Sequence, residues 1–312
     1  ILDIIMILTD LKYIKNKEEV IAGVDEVGRG PLCGPVVAAA VILPRSSKIE
    51  GVNDSKKISP KKREALFDAI KGKALSIGLG FVHEDKIDEI NILNATMLAM
   101  KRAVQKLDIM PDTLLVDGSI KDITDIPQRN IIKGDSKSLS IAAASIIAKV
   151  TRDRMMIEYN KIFPSYGLSK NMGYGTKEHM HAIKTNFSTP IHRQTFKPIS
   201  SYIPKISDIP NIKDLSIKLA ACKIVRSGHK IISINCKSLN IIDIISIFNN
   251  QCYGFKLYNG ANIKRIRIQM MKEYNSVFLV NNIKKDITSS INISVISVKF
   301  SNNKPEITFK NI

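Results

Sequence analysis

Residues 21–43, IAGVDEVGRGPLCGPVVAAAVIL, constrain this chain more than any other stretch. An apolar run ends in two adjacent carboxylates, Asp25 and Glu26. A glycine-rich turn with one arginine follows, and then a second apolar, β-branched run. The pattern predicts strand, acidic strand end, polar loop, strand. Two neighbouring carboxylates repel unless a cation lies between them. A divalent-metal site is therefore the first expectation, and the basic loop directly after it points to phosphate chemistry.

At 312 residues the chain holds about two domains. The net charge is +18 and unevenly spread, with 17 Lys+Arg against 6 Asp+Glu in residues 200–312 and 30 against 23 in residues 1–199. A basic balance suits a polyanionic partner such as nucleic acid. The C-terminal region is also saturated with Ile, Asn and Lys, as compositional drift alone would produce, so charge by itself decides nothing. The four cysteines (Cys33, Cys222, Cys236, Cys252) form no CxxC pair and no metal-like spacing, which fits reduced thiols rather than zinc. The opening ILDIIMIL is too short to span a bilayer and lacks a cleavage site, and Met6 is a candidate start. These features lead us to expect a soluble, cytoplasmic protein with no membrane partner. A monomer is the default in the absence of any oligomerisation signal.

Along the chain, Ser59-Pro60 opens an amphipathic helix that stops at Gly72, and ALSIGLGFV alternates as a strand. HEDKIDEINILNATMLAMKRAVQKL reads as one or two long helices. TLLVDG is a buried strand stopping at Asp117, and NIIKGD another stopping at Asp135. A long helix covers SLSIAAASIIAKVTRDRMMIEYNKI, and a further helix starts at Thr176 after the GYGT loop. The alternation predicts an α/β domain over 1–199, a proline-marked linker over 200–212 and a smaller α/β domain over 213–312.

Asp25, Glu26, Asp117 and Asp135 each fall at or just beyond a predicted strand end, where an open α/β sheet can gather them in one cleft. Four carboxylates so placed need two Mg²⁺ or Mn²⁺ ions, which would clamp a phosphodiester for in-line attack by water. The alternative for any single acid is a solvated or helix-capping role, and Asp135 before SKSLS is placed to cap the next helix.

Six motifs occur in order: residues 21–43, DSKK at 54–57, LLVDG at 114–118, KGDSKSLSIAAASIIAKVTRDR at 133–154, GYGTKEH at 173–179 and HRQTFKP at 192–198. Together they resemble bacterial ribonuclease HII over about residues 20–199. The resemblance implies an RNase H-like mixed sheet flanked by helices and hydrolysis of the RNA strand of RNA–DNA hybrids. It also implies incision on the 5′ side of ribonucleotides embedded in duplex DNA, leaving 3′-hydroxyl and 5′-phosphate ends. Asp25, Glu26, Asp117 and Asp135 correspond to the metal-binding catalytic quartet, with Asp25 as the bridge between two ions. Gly28, Arg29 and Gly30 resemble the loop that reads the ribose 2′-hydroxyl, and Tyr174 the ring that packs on the following deoxyribose. Arg29 as a surface charge and Tyr174 as packing are the plainer readings. Lys56, Lys57, Ser138, Lys149, Arg152 and Lys177 are plausible phosphate contacts, though solvated faces explain them equally. His192 and Arg193 are read as tying the domain's tail down rather than touching substrate. Cys33 and Met172 depart from the family pattern, which favours a small residue at the first and a basic one at the second.

The region from 213 resembles a small bacterial family with a PD-(D/E)xK nuclease-like, restriction-endonuclease-like fold. Asp243 stands in the acidic segment without its glutamate partner, and the Glu-Val-Lys strand is missing between Ile247 and Tyr253. A carboxylate with neither partner acid nor lysine assembles no metal site. A degenerate, inactive domain is therefore expected, either an accessory nucleic-acid binder through Lys264, Arg265 and Arg267 or a remnant whose apolar residues merely fold and pack. Two rivals remain: a non-catalytic binding protein on a nuclease scaffold, and another RNase H-like enzyme such as an exonuclease. The second gives no role to GRG followed by GYGT.

Overall fold

The structure is a computed structural model describing residues 10–12, 18–47, 49, 51–52, 58–234, 242–257, 270, 291–301 and 304–311. Met6, the DSKK segment with Lys56 and Lys57, Cys236, and Lys264, Arg265 and Arg267 lie outside the described residues. The chain forms two compact units. One comprises residues 1–154, 172–175 and 191–201, and the other residues 155–171, 176–190 and 202–312.

The first unit is built on a five-stranded sheet of β1 (Ile21–Val27), β2 (Val36–Ile42), β3 (Ser76–Val82), β4 (Thr113–Asp117) and β5 (Gln128–Ile131), ordered β3-β2-β1-β4-β5. β2 runs antiparallel to both β1 and β3, whereas β4 and β5 run parallel to β1. All seven residues of β2 are buried, because helices cover both faces of the sheet. On one face Ala39 and Val41 pack with Leu66, Phe67 and Ile70 of α1 (Pro60–Lys73) and with Ala142–Ala144, Ile146 and Ile147 of α3 (Leu139–Ile162). On the other, Ala38, Ala40 and Ile42 meet Ile87, Ala95, Ala99 and Met100 of α2 (Glu84–Val104). Ser59 caps α1 as its sequence predicts, accepting from Lys62 N.

Two local departures from the sequence reading have clear causes. α2 is broken at Asn91 (φ 67°, ψ 167°), whose Oδ1 accepts from the N–H groups of Leu93 and Asn94 and so caps the second segment. The strand expected to run to Asp135 ends at Ile131. Lys133 then adopts a left-handed conformation (φ 57°), and Gly134–Ser136 form a single 3₁₀ turn.

In the second unit, α4 (Leu168–Asn171) and α5 (Lys177–Asn186, capped by Thr176) are joined by Tyr166, whose hydroxyl donates to the carbonyls of Asn186 and Phe187. The short α6 (Lys197–Ser200) belongs to the first unit. α7 (Ile212–Arg226), capped by Asn211, accompanies a sheet ordered β10-β9-β8-β7-β6. Its strands are β6 (Lys230–Ile234), β7 (Ile244–Phe248), β8 (Gln251–Leu257), β9 (Ile291–Ser301) and β10 (Lys304–Asn311). Asn249 and Asn250, both at positive φ (47° and 60°), make the two-residue hairpin between β7 and β8. At the outer strand β6, the Ile231 N–H donates to Glu158 (2.7 Å) and its carbonyl accepts from Lys161 (2.8 Å), which closes part of an open edge.

β7 therefore turns straight into β8, and no strand intervenes between Ile247 and Tyr253. One expectation is corrected here. Asp243 does have a lysine: Lys256 Nζ lies 3.3 Å from its Oδ1, and the Leu257 N–H donates to its Oδ2 at 2.7 Å.

Candidate active site

The strand pairing alone brings two of the acids together. β1 and β4 lie side by side in parallel with Val24 opposite Val116, and Asp25 and Asp117 are the next residue on each strand. Glu26 follows Asp25, and its N–H donates to Asp25 Oδ1 at 2.7 Å. Asp117 Oδ1 accepts from the Gly134 N–H at 2.6 Å, which fixes the 3₁₀ turn carrying Asp135 against the end of β4. Asp135 thus follows Gly134 on a turn beside Asp117 and does not stand at a strand end. Other side chains accept from the first N–H groups of α3. Asp10 accepts from Ser140 N (3.0 Å) and Ser138 Oγ from Ile141 N (3.2 Å).

Asp25 is 5% exposed. Burial, and then the charges of Glu26 and Asp117, push its carboxyl well above the usual carboxylate range, against a hydrogen bond from Ser145 of α3. Burial also raises Glu26, although Arg29 pulls it back through a contact of 3.3 Å. Acids destabilised in their charged form by burial and by each other, with oxygen donors only, match the demand of a hard divalent cation.

The neighbouring loop is held by two arginines that the sequence did not single out for this work. Arg193, fully buried, donates from Nε to Gly34 O (3.1 Å) and from Nη1 to Arg29 O (2.9 Å) and Pro31 O (2.7 Å). Its Nη2 donates to Gly34 O (2.8 Å) and to Gly28 O. Arg152, also fully buried, donates to Pro35 O (2.9 Å), Cys33 O (3.0 Å) and Met172 O (2.9 Å). Arg152 was grouped with plausible phosphate contacts. Its burial and its three carbonyl partners correct that reading, and Ser138, also fully buried, is corrected with it. Lys149 is tied to Asp153 at 2.8 Å. Cys33 is buried too, which pushes its thiol up to about 12.

Gly28 sits at φ +95°, and a Cβ there would lie 2.4 Å from Arg152 Nε and 2.6 Å from Pro35 O. The glycine is therefore required by the arginine behind it as well as by any sugar in front. At Gly30 the neighbour of a Cβ within 4 Å among the described residues would be Cε1 of Tyr174, at 3.6 Å. The segment carrying Tyr174 is stitched to the loop by Leu32 N to Gly173 O (2.8 Å) and by the Arg152–Met172 bond. Tyr174 itself is 43% exposed beside the loop. Of the predicted residues, Asp25, Glu26, Asp117 and Asp135 are drawn to one end of the sheet. Gly28, Arg29, Gly30 and Tyr174 form the adjoining rim.

No helix among the described residues is long and apolar enough to cross a membrane. Cys33, Cys222 and Cys252 are buried.

The ribonuclease HII sequence profile matches residues 22–199. A ribonuclease HII of Enterococcus faecalis is 55% identical over 189 residues, spanning 61% of this chain and 74% of that protein. Among solved structures, ribonuclease H2 of Pyrococcus horikoshii superposes with a TM-score of 0.52 at 28% identity, over 59% of this chain and 96% of that one. Ribonuclease HII of Archaeoglobus fulgidus, solved in complex with PCNA, gives 0.49 at 25% identity, over 61% and 100%. The matched residues 22–199 include the sheet and loop that carry the acids, and the chain belongs to the ribonuclease HII family.

Proposed function

We propose that this chain incises the 5′ side of ribonucleotides embedded in duplex DNA, leaving 3′-hydroxyl and 5′-phosphate ends, with Asp25, Glu26, Asp117 and Asp135 as its catalytic carboxylates. The coarser activity, endonucleolytic hydrolysis of the RNA strand of RNA–DNA hybrids by a divalent-metal-dependent ribonuclease H, comes with the family. The observation that carries the finer reading is the placement of Asp25 and Asp117 one residue past the last paired positions of adjacent parallel strands, beside a loop whose backbone is immobilised from behind.

In this reading the four acids hold two divalent ions, Mg²⁺ or Mn²⁺, which when bound supply Lewis-acid charge to both sides of an in-line phosphodiester displacement. Asp25, the buried acid that feels the charges of both Glu26 and Asp117, would serve as a ligand shared by the two ions. Gly28, Arg29 and Gly30 read the 2′-hydroxyl with backbone groups, since a glycine backbone can approach a sugar closely. Tyr174, half exposed beside Gly30, packs on the deoxyribose that follows. The protein acts as a monomer in the cytoplasm. The domain from 213 contributes no chemistry: Asp243 and Lys256 neutralise each other, and a lone carboxylate does not gather two ions.

Asp135→Asn should abolish cleavage of a duplex containing one ribonucleotide while leaving its binding largely intact. Retained cleavage would remove Asp135 from the quartet. Stepwise digestion from the ends, instead of a single nick, would favour an exonuclease and sink the proposal.

A further inference from the structure

We propose that Arg193 is a positioning residue for sugar discrimination, setting the backbone of the 28–34 loop, and that Asp88 sets Arg193. The inference rests on the assignment of that loop to the 2′-hydroxyl.

Five hydrogen bonds from one guanidinium converge on four carbonyls, those of Gly28, Arg29, Pro31 and Gly34. The Arg193 N–H adds a sixth tie, to Leu32 O at 2.9 Å. A planar fork with five N–H donors can fix several carbonyls at once in a way that an ammonium cannot. None of these bonds is made to a carboxylate, so the interaction serves to shape the backbone and does not form an ion pair with the loop. The buried Glu84 offsets the positive charge of Arg193 from a distance. Burial, with Arg152 close by, lowers the Arg193 guanidinium to about 10, which leaves it charged at neutral pH.

Arg193 is presented by a segment that is itself clamped. Asp88 of α2 accepts from Gln194 N (2.9 Å), Thr195 N (3.0 Å) and Thr195 Oγ1 (2.6 Å). Phe196 lies beneath the guanidinium, its ring centre 5.1 Å away. The chain of contacts therefore runs from α2 through Asp88 and residues 194–195 to Arg193, and from there to the loop. Arg152 fixes the loop's later half at Cys33 and Pro35 and also holds Met172, two residues from Tyr174. Loop and tyrosine thereby share a frame. A reader of one hydroxyl needs such a frame, because its discrimination depends on donor and acceptor positions held to a fraction of an ångström.

The test uses the full chain and two variants, Arg193→Lys and Asp88→Asn. Binding to a duplex with one ribonucleotide and to the same duplex in all-DNA form is measured by fluorescence anisotropy without divalent metal. Cleavage kinetics and thermal stability are measured in parallel. Arg193→Lys should lower the ribonucleotide-to-DNA affinity ratio and kcat/KM by about tenfold or more, with all-DNA binding changed less than about twofold. Asp88→Asn should move the ratio the same way by about threefold. A purely structural role would lower the melting temperature and leave the ratio untouched well below it, and that result overturns the inference. Should Arg193→Lys fail to fold, an unchanged ratio in Asp88→Asn is equally decisive against it. A wild-type chain that binds both duplexes alike overturns the underlying reading of the loop. A wild type that discriminates, with variants that match it, overturns only the role of Arg193.

Discussion

Gly23 lies two residues before Asp25 on β1, and α3 crosses directly over it. A methyl group placed there would stand 2.1 Å from Ser140 C, 2.3 Å from Ile141 N and 2.4 Å from Ser140 O. All three are backbone atoms, so no side-chain rotation relieves the clash. Ordinary contact at 3.4 Å needs the helix start to retreat from the strand by about 1.3 Å. That helix start follows the turn bearing Asp135, and Ser145 on the same helix bonds Asp25. Gly23→Ala should therefore cost about 3 kcal/mol, the upper end for overpacking. In a unit of this size that is a melting-temperature drop of roughly 6–12 °C. Displacing catalytic groups by about an ångström should also lower kcat/KM about 100-fold when assayed well below the new melting point. Gly72→Ala is the control, since a Cβ there meets nothing within 4 Å among the described residues. Its stability should stay the same or rise by about 0.5–1 kcal/mol. If Gly23→Ala melts within about 2 °C of wild type, or cleaves within about threefold of it, the close packing of strand on helix does not govern the site.

Other outcomes follow from the same geometry. Asp25→Asn should stabilise the metal-free protein at neutral pH while abolishing cleavage and stabilisation by Mn²⁺, because the carboxyl is raised by burial and by Glu26 and Asp117. A variant still stabilised by Mn²⁺ as strongly as wild type would refute this. Asp10, raised from 3.8 to about 6 mainly by burial, favours the fold when neutral. Its contribution is fully present below pH 3.8 and is lost as pH rises through about 6. Chemical denaturation of wild type and Asp10→Asn should accordingly diverge by on the order of 1–3 kcal/mol between pH 4 and 7, and parallel profiles would contradict the shift. Asp243→Asn should leave hybrid cleavage unchanged, and a chain carrying Asp135→Asn should show no residual cutting of hybrid or duplex DNA. Residual cutting that Asp243→Asn removes would give the second unit a chemistry of its own.

The hairpin of β1 and β2, the strand ending at Asp117 and the helix capped at Ser59 were all legible because each is set by residues within a few positions of one another. Tertiary geometry overrode the reading elsewhere. The apolar pattern of NIIKGD extends past Ile131, but the chain must turn at Lys133 for Gly134 to reach Asp117. The stripe of α2 likewise continues through Asn91 although the helix restarts there. The acids were readable because the residue types carry their own chemistry. The work of Arg152 and Arg193 was not, since an arginine that wraps a loop and one that grips a phosphate look the same in a sequence. The partner of Asp243 was hidden for a related reason. Lys256 becomes its cross-strand neighbour only once the Asn249–Asn250 turn has set the register of β7 and β8.

The bond from Arg193 to Gly28 joins residues 165 positions apart. Synthesis at about 5–20 residues per second leaves roughly 8–33 s between the appearance of the loop and that of the side chain that shapes it. All four acids are translated well before then, the last of them at residue 135. A nascent chain thus acquires the four proposed catalytic acids before the clamp on the loop proposed to read the sugar. The order of translation puts the clamp last, and a chain truncated between residues 135 and 193 would carry the four acids with that loop unclamped.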